Sequence, residues 1–349
     1  MSNSNLGLNR KVIKVLVDSL SDSDSKIYKD IMSITGEPSG EVDENDTLIN
    51  YLTDGTEVTT LTSNAVKKVA DDVFNGYNKL VTVNFPNAIS IGVRSFQGCT
   101  SLNTVDFTNA KSLGNYAFKE CSNLRNVTIP NVETIGTSAF QGCCGLHDID
   151  LPECTEIGPC AFENCSNVKT IILPNVSSIA QSVFRDCTSL TSIDLPNVTS
   201  IGNSVFNGCT SLTSIDLPNV TSIGNQVFQG CTSLTSIDLP NVTSIDDSVF
   251  YNCTSLTSID LPNVTGTGNK VFQGCTNLST VIISTNQIIA LGNYRVFYNT
   301  AIENGTGYIY VPDSLVDSYK TATNWSTYAS QIKPISELPQ EYKTLYNIT

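Results

Sequence analysis

Aspartates and serines recur at fixed positions of a 22-residue period in this sequence. Stacked coils of that period would place the like carboxylates about 5 Å apart along one face. Such a row of carboxylates and hydroxyls could bind a glycan, a calcium ion or a basic protein surface, or it could be a solvated face copied by duplication. The residues with this spacing are Asp106, Asp150, Asp194, Asp216, Asp238 and Asp260, with Ser192, Ser214, Ser236 and Ser258 two positions before the last four.

The segment 143–160, CCGLHDIDLPECTEIGPC, is the most irregular repeat and contains the single histidine of the sequence, His147. Cysteine and histidine are common ligands of zinc. The period, however, places Cys154 in an apolar column and Cys160 on the arc of the coil opposite Cys144 and His147. We therefore predict neither a metal site nor a reactive Cys144–His147 pair here.

Residues that break the uniformity of the strand face are candidates for giving it specificity. Arg125, His147, Asp148 and Lys169 lie on or beside the same predicted strands as the repeated serines and aspartates. We predict no catalytic residue and no cofactor. The predicted binding residues on the concave strand face are Arg125, His147, Asp148, Asp150, Lys169, Ser192, Asp194, Ser214, Asp216, Ser236, Asp238, Ser258 and Asp260.

Nine cysteines share the 22-residue spacing, and a row of phenylalanines runs in parallel with them. A spacing of about 5 Å does not forbid disulfides, but an odd number of cysteines and a tyrosine at the equivalent position 77 favour a buried column of free thiols. The two columns are Cys99, Cys121, Cys143, Cys165, Cys187, Cys209, Cys231, Cys253 and Cys275, and Phe74, Phe96, Phe118, Phe140, Phe162, Phe184, Phe206, Phe228, Phe250 and Phe272.

Each repeat reads as one coil with two apolar arcs. The stretch LTSIDL predicts a strand with Ile193 and Leu195 inward and its serine and aspartate outward, and Pro196 ends the strand because proline has no amide hydrogen. Val198, Ile201, Val205 and Phe206 predict a second arc on a short helix or 3₁₀ turn. The last position of most repeats is Gly, Asn or Asp, which predicts a left-handed turn there, with Glu120 as an exception.

The repeat SIGNSVFNGCTSLTSIDLPNVTSIG and its sister units resemble the BspA-like leucine-rich repeat family over about 220 of the 349 residues. The stretch 307–337, GYIYVPDSLVDSYKTATNWSTYASQIKPISE, resembles a terminal module that closes such arrays. This resemblance implies a solenoid fold and a binding role rather than catalysis. The family includes bacterial surface adhesins and proteins of phages that infect gut bacteria.

These patterns predict an α/β solenoid, a leucine-rich repeat array of about ten 22-residue coils. We assign residues 1–55 to an N-terminal leader with helices at 9–20 and 22–34 and an acidic linker at 35–47. Residues 56–76 are predicted to form a cap or degenerate first coil, and residues 77–296 the solenoid. Residues 297–349 are predicted to form a C-terminal cap, with a strand at GYIYV and two short helices after it.

Composition narrows the class of function. The net charge of −14 disfavours nucleic acid and anionic membrane surfaces as partners, and no apolar run reaches the length of a membrane span. The single histidine and the absence of catalytic motifs predict that the protein is not an enzyme. Lys14 and Asp18 interrupt the apolar stretch at the N-terminus, so the sequence does not predict a secretory signal peptide.

Together these features favour a recognition protein on a phage particle, located on the virion or another extracellular surface. It would bind a bacterial surface glycan or protein through the solenoid, and residues 1–55 would attach it to other virion proteins. The alternatives are a BspA-type adhesin on the bacterial cell surface that binds host proteins, and an intracellular interaction scaffold.

Overall fold

The computed structural model describes residues 40–42, 47–51 and 58–348, with side chains for residues 58–348. It divides into two compact units, Met1–Cys165 and Ser166–Thr349. The helices predicted at 9–20 and 22–34 lie outside the described residues. In both units the chain forms stacked coils, so the predicted leucine-rich repeat solenoid is confirmed.

The N-terminal unit contains two rows of short strands, in which the pairs are parallel except for β1 with β2. Residues 22 apart pair in register, for example Thr82 with Thr104. One row has the order β3-β5-β7-β9, and the other has the order β1-β2-β4-β6-β8-β10-β12. The strands are β1 (Gly40–Val42), β2 (Thr47–Tyr51), β3 (Thr60–Thr62), β4 (Lys68–Val69), β5 (Thr82–Asn84), β6 (Ser90–Ile91), β7 (Thr104–Asp106), β8 (Ser112–Leu113), β9 (Asn126–Thr128), β10 (Thr134–Ile135), β11 (Asp148–Asp150) and β12 (Glu156–Ile157).

The structure has a strand within the linker predicted at 35–47, because β1 begins at Gly40. Strands β1 and β2 form an antiparallel hairpin, and β2 pairs in parallel with β4. The hairpin therefore extends the sheet of the second arc beyond the coil at 60–76. Charge and turn residues suggested a linker, but the backbone of Gly40–Val42 finds hydrogen-bond partners in β2, which local composition does not reveal.

In the C-terminal unit the short strands form three rows. Strand β13 pairs in parallel with β15, a second row has the order β14-β16-β17-β18-β20, and a third has the order β19-β21-β22-β23. The strands are β13 (Thr170–Ile172), β14 (Ser178–Ile179), β15 (Ser192–Asp194), β16 (Ser200–Ile201), β17 (Ser222–Ile223), β18 (Ser244–Ile245), β19 (Ser258–Asp260), β20 (Gly266–Thr267), β21 (Thr280–Ile282), β22 (Tyr308–Val311) and β23 (Ile332–Pro334).

The cysteine and phenylalanine columns form the core of the coils, as predicted. All nine column cysteines are buried and free of disulfide bonds. In the C-terminal unit, Cys231 donates its thiol hydrogen to the carbonyl oxygen of Phe206 at 3.1 Å, and the rings of Phe206 and Phe228 stack with centroids 5.5 Å apart. Buried thiols so bonded need no second sulfur, which explains why an odd number of them is stable.

The second arc is built from two-residue strands and turns, rather than from the short helix or 3₁₀ turn that the apolar spacing predicts. Ile201 lies in β16, and the turns that follow carry two residues of positive φ in each coil from Asp72 to Gly274, such as Ser204 at 57° and Gly208 at 75°. The predicted left-handed position at the end of the repeat is confirmed, including Glu120 at 62°. The sequence did not predict the left-handed position four residues earlier, because Ser204 and its counterparts there are not glycines.

The C-terminal cap contains the expected strand β22 and more helical structure than the coils. A 3₁₀ turn at Asp313–Leu315 leads into helix α1 (Val316–Thr321), and a 3₁₀ segment follows at Trp325–Gln331. After β23 and a 3₁₀ turn at Ile335–Glu337, the chain ends in helix α2 (Gln340–Leu345). Helical content is minor in this fold, and no helix in the described part of the chain is long and apolar enough to cross a membrane.

Candidate binding surface

In each unit the outward side chains of the three-residue strands form a polar surface, which we call the strand face. In β15 the order of burial is exposed, buried, exposed, so that Ile193 enters the core while Ser192 and Asp194 meet solvent. Strand alternation causes this division, because successive side chains point to opposite sides. The repeat letters S-I-D therefore separate folding residues from surface residues, as the sequence predicts.

The next two repeats keep this alternation with weaker strand pairing. Ser214, Asp216, Ser236 and Asp238 are all exposed. Asp216 and Asp238 are joined only by an isolated parallel bridge, so their like charges sit in register on neighbouring coils. Because both carboxylates face water, mutual repulsion there is screened. This part of the strand face is an open, acidic and hydroxyl-rich surface.

The charged residues predicted to give specificity occupy equivalent places in successive coils. In the N-terminal unit, Arg125 directly precedes β9 and His147 directly precedes β11, which begins with Asp148 and ends with Asp150. In the C-terminal unit, Lys169 directly precedes β13. All five side chains are exposed, so none of them belongs to the core.

One upstream aspartate of the same column has a structural role. The Oδ1 atom of Asp106 accepts hydrogen bonds from the backbone amide of Thr108 at 3.0 Å and from its hydroxyl at 2.6 Å. This contact closes the turn after β7, as short acidic side chains commonly do. Membership of the aspartate column is therefore not by itself evidence for ligand binding.

Ser258 and Asp260, which we expected on the open face with the other repeats, are covered instead. Ser258 is 3% exposed, and its hydroxyl oxygen lies 2.8 Å from that of Tyr346. Burial raises the pKa of Asp260 to about 6, against a hydrogen bond from Ser284 and one from the Leu261 backbone that lower it. Tyr346 follows helix α2, so the end of the chain folds back over the strand face at this repeat.

The C-terminal segment, residues 340–348, is held by apolar contacts. Ile282, Tyr310 and Leu338 form a buried cluster, and five partly buried side chains pack against it: Tyr308, Ile335, Tyr342, Tyr346 and Ile348. A cleft of about 510 Å³ remains beside the segment, with Asp260 and Asp313 among its lining residues. The cap therefore closes part of the strand face in addition to the end of the stack.

Ile172 is a surface residue that the sequence reasoning missed. It ends β13 at the position where most repeats have Asp, Asn or Thr, and its side chain is 49% exposed. The signal was present in the sequence, since TIIL replaces the consensus SIDL at 170–173. An exposed isoleucine beside Lys169 gives the strand face a local apolar feature.

The irregular repeat spreads its cysteines over three environments. Cys144 is exposed, Cys154 is buried, and Cys160 lies in a left-handed turn with partial burial. Burial raises the pKa of Cys154 to about 11, which disfavours the thiolate that metals and electrophiles need. Among the described residues, no group of three His, Cys, Asp or Glu side chains is placed to hold a metal ion.

The family comparison agrees with the repeat architecture. A family model described as a BspA type leucine rich repeat region, in six copies, matches residues 50–169, 133–220 and 199–320. The comparison with curated proteins finds no match.

Solved structures of bacterial leucine-rich proteins are similar to this chain. A leucine-rich cell surface protein from Faecalibacterium prausnitzii A2-165 is 23% identical with a TM-score of 0.49, over 88% of this chain and 95% of that one. A leucine-rich repeat protein from Bacteroides ovatus ATCC 8483 is 23% identical with a TM-score of 0.48, over 86% and 99%. The leucine-rich repeat protein of T. pallidum is 25% identical with a TM-score of 0.40, over 56% and 87%.

The family matches together span well over half of the chain and coincide with the stacked coils. Proteins of this kind are generally non-enzymatic interaction scaffolds. On the evidence of the repeat, the buried columns and the family match, this chain belongs to the family of BspA-type leucine-rich repeat proteins.

Proposed function

We propose that this protein is a non-enzymatic recognition protein that binds a protein or glycan ligand at a cell surface through its strand face. The observation that carries the proposal is that each repeat separates its core residues from its surface residues. The apolar columns are buried, while Ser192, Asp194, Asp216 and Asp238 are held at regular spacing and face solvent. Solenoids present such extended surfaces to partners.

Family membership supports the role of a BspA-type surface adhesin, which is the form of the proposal that we favour. Its partner would be a host protein or a glycan at the cell surface. A narrower hypothesis places the protein on a phage particle, bound to bacteria by the strand face and attached to other virion proteins through residues 1–55. That hypothesis rests on the sequence resemblance, and the alternative of an intracellular scaffold rests on the free thiols of the cysteine column.

A binding assay on the full chain tests the proposal. Fluorescently labelled protein is titrated onto intact gut bacteria of several species and onto immobilised host matrix proteins. The variant Asp216→Lys changes the strand face, and Asp246→Lys makes the same charge change at an exposed aspartate directly after β18 on the second arc. We expect saturable binding that Asp216→Lys weakens and Asp246→Lys leaves intact.

The ligand panel separates the forms of the proposal. Binding to a matrix protein supports the adhesin, and selective binding to one bacterial strain supports the phage hypothesis. Equal losses in both variants would show that overall charge rather than the strand face controls binding. No binding to any member of the panel would contradict surface recognition.

A further inference from the structure

Strands β19 and β21 carry a set of four side chains that the C-terminal segment covers. In register across the two strands, Ser258 faces Thr280 and Asp260 faces Ile282. Ile282 is fully buried, and Tyr346 packs against its cluster while placing its hydroxyl 2.8 Å from the Ser258 hydroxyl. The C-terminal segment therefore combines a tyrosine ring that packs on the cluster of Ile282 with a phenolic hydroxyl beside a serine.

The same four residue types recur on strands β13 and β15, where solvent reaches them. Thr170 faces Ser192 and Ile172 faces Asp194 in register. All four side chains are exposed, and Ile172 stands at the repeat position of Ile282. The two sets run in opposite order along the stack, but each places an isoleucine next to an aspartate and a threonine next to a serine. We call the exposed set the β13–β15 patch.

Isoleucine is an exception at this position of the repeat. Polar residues fill it in the other described coils from β5 to β19: Asn84, Asp106, Thr128, Asp150, Asp194, Asp216, Asp238 and Asp260. At β21 the isoleucine is buried by tyrosines of the same chain. At β13 the equivalent residue, Ile172, is exposed to water. Covering its side chain with an apolar group is therefore favourable.

We propose that the β13–β15 patch docks a tyrosine-bearing peptide segment of the partner protein. A tyrosine ring covers Ile172, and its hydroxyl reaches Ser192. Tyrosine suits this surface because it combines a large apolar ring with a polar tip that must remain hydrogen-bonded. The C-terminal segment of this chain already shows the same combination at β19 and β21. The proposal rests on the proposed function, since it specifies the partner chemistry of the strand face.

A peptide titration tests the patch without the natural partner. The probe is the fluorescein-labelled peptide LPQEYKTLYNI, which has the sequence of residues 338–348, and its binding to the full chain is followed by anisotropy. The test variant Ile172→Asp installs the residue that six sister repeats carry, so it is expected to fold. The control Ile89→Thr removes another exposed isoleucine, 46% exposed on the second arc, and installs the residue found at Thr199 and Thr221.

We expect the Kd for the peptide to rise at least tenfold in Ile172→Asp and to stay unchanged in Ile89→Thr, with equal melting temperatures for all three proteins. A peptide in which both tyrosines are alanine is expected to bind at least tenfold more weakly to the parent. Equal peptide binding by the parent and Ile172→Asp, or no saturable binding, would overturn the proposal. Concentration-dependent dimers that Ile172→Asp abolishes would also overturn it, by assigning the patch to a second copy of the chain.

The two proposals fail in different assays. If the parent binds cells or matrix proteins and Asp216→Lys weakens that binding, the proposed function stands even when the peptide does not bind. If no surface ligand is found but the peptide binds at Ile172, the patch stands as a docking site and recognition of a cell surface does not.

Discussion

Replacing Asp260 with asparagine is expected to remove a pH dependence from the docking of the C-terminal segment. Burial, with a smaller contribution from the charge of Asp238, raises the pKa of Asp260 from 3.8 to about 6, although hydrogen bonds from Ser284 and the Leu261 backbone oppose the rise. When the segment undocks, Asp260 becomes as open as Asp216, an exposed aspartate in a repeat of the same sequence. Docking is therefore linked to the protonation of this carboxyl group.

The sign follows from the raised pKa. The docked form holds the proton more tightly, so the stabilisation is complete below pH 3.8 and is lost as the pH rises through about 6. At about 1.4 kcal/mol per pKa unit, the full difference corresponds to about 3 kcal/mol. Because Asp260 keeps part of its contact with water, we expect about half of this, or a roughly tenfold change in the undocking equilibrium.

Hydrogen exchange of two backbone amides reports this equilibrium. The amide of Tyr346 donates to the carbonyl oxygen of Tyr342 at 3.0 Å, and that of Ile348 donates to Lys343 at 2.9 Å. After correction for the intrinsic effect of pH, protection of these amides is expected to fall roughly tenfold between pH 4 and pH 7.5 in the parent.

The variant Asp260→Asn is expected to show no such fall, because it cannot ionise. Asp216→Asn is the matched control, and it is expected to keep the pH dependence of the parent. Protection in the parent that does not change with pH, or an equal change in Asp260→Asn, would refute the linkage between this carboxyl group and docking.

Three further predictions test the stacking of the coils. In the native protein, a thiol reagent is expected to label Cys144 while Cys209 and the other column cysteines stay unreactive, because burial raises the pKa of Cys209 well above its usual value. Mass spectrometry after brief labelling checks this. Rapid labelling of the column cysteines would contradict it. Asn219→Ala removes a hydrogen bond from Asn219 to the carbonyl oxygen of Pro196 and is expected to lower the free energy of unfolding by about 1 kcal/mol in urea titrations; an unchanged midpoint would refute that role. Phe228→Ala opens a cavity between two stacked rings and is expected to cost about 3–5 kcal/mol in the same assay, and a loss below about 1 kcal/mol would show that the stack is not tightly packed.

The 22-residue period determined most of the coil without reference to tertiary structure. The cysteine and phenylalanine columns, the outward Ser192 and Asp194 and the left-handed end of each repeat all follow from local rules of strand alternation and backbone sterics. These rules act within one coil and its neighbour, so every repeat of the sequence gives the same evidence for them.

Local sequence patterns did not predict the structure of short segments that can adopt more than one conformation. The second arc carries apolar spacing that a short helix and a chain of turns share, and hydrogen bonds between neighbouring coils favour turns, as from Ser204 N to Asn225 O at 2.8 Å. The acidic stretch before residue 47 has the composition of a linker, yet Gly40–Val42 pairs with β2. In both places the deciding hydrogen bonds come from residues outside the segment.

The coverage of the strand face was decided by tertiary structure alone. The repeats that contain Ser236 and Ser258 have the same sequence from Cys231 to Val242 and from Cys253 to Val264, so no local rule can make one serine exposed and the other buried. Ser258 is buried because Tyr346, 88 residues away along the chain, lies against it. The sequence determined what each coil is made of, and the long-range packing of the C-terminal segment decided which coils keep their surface free for a partner.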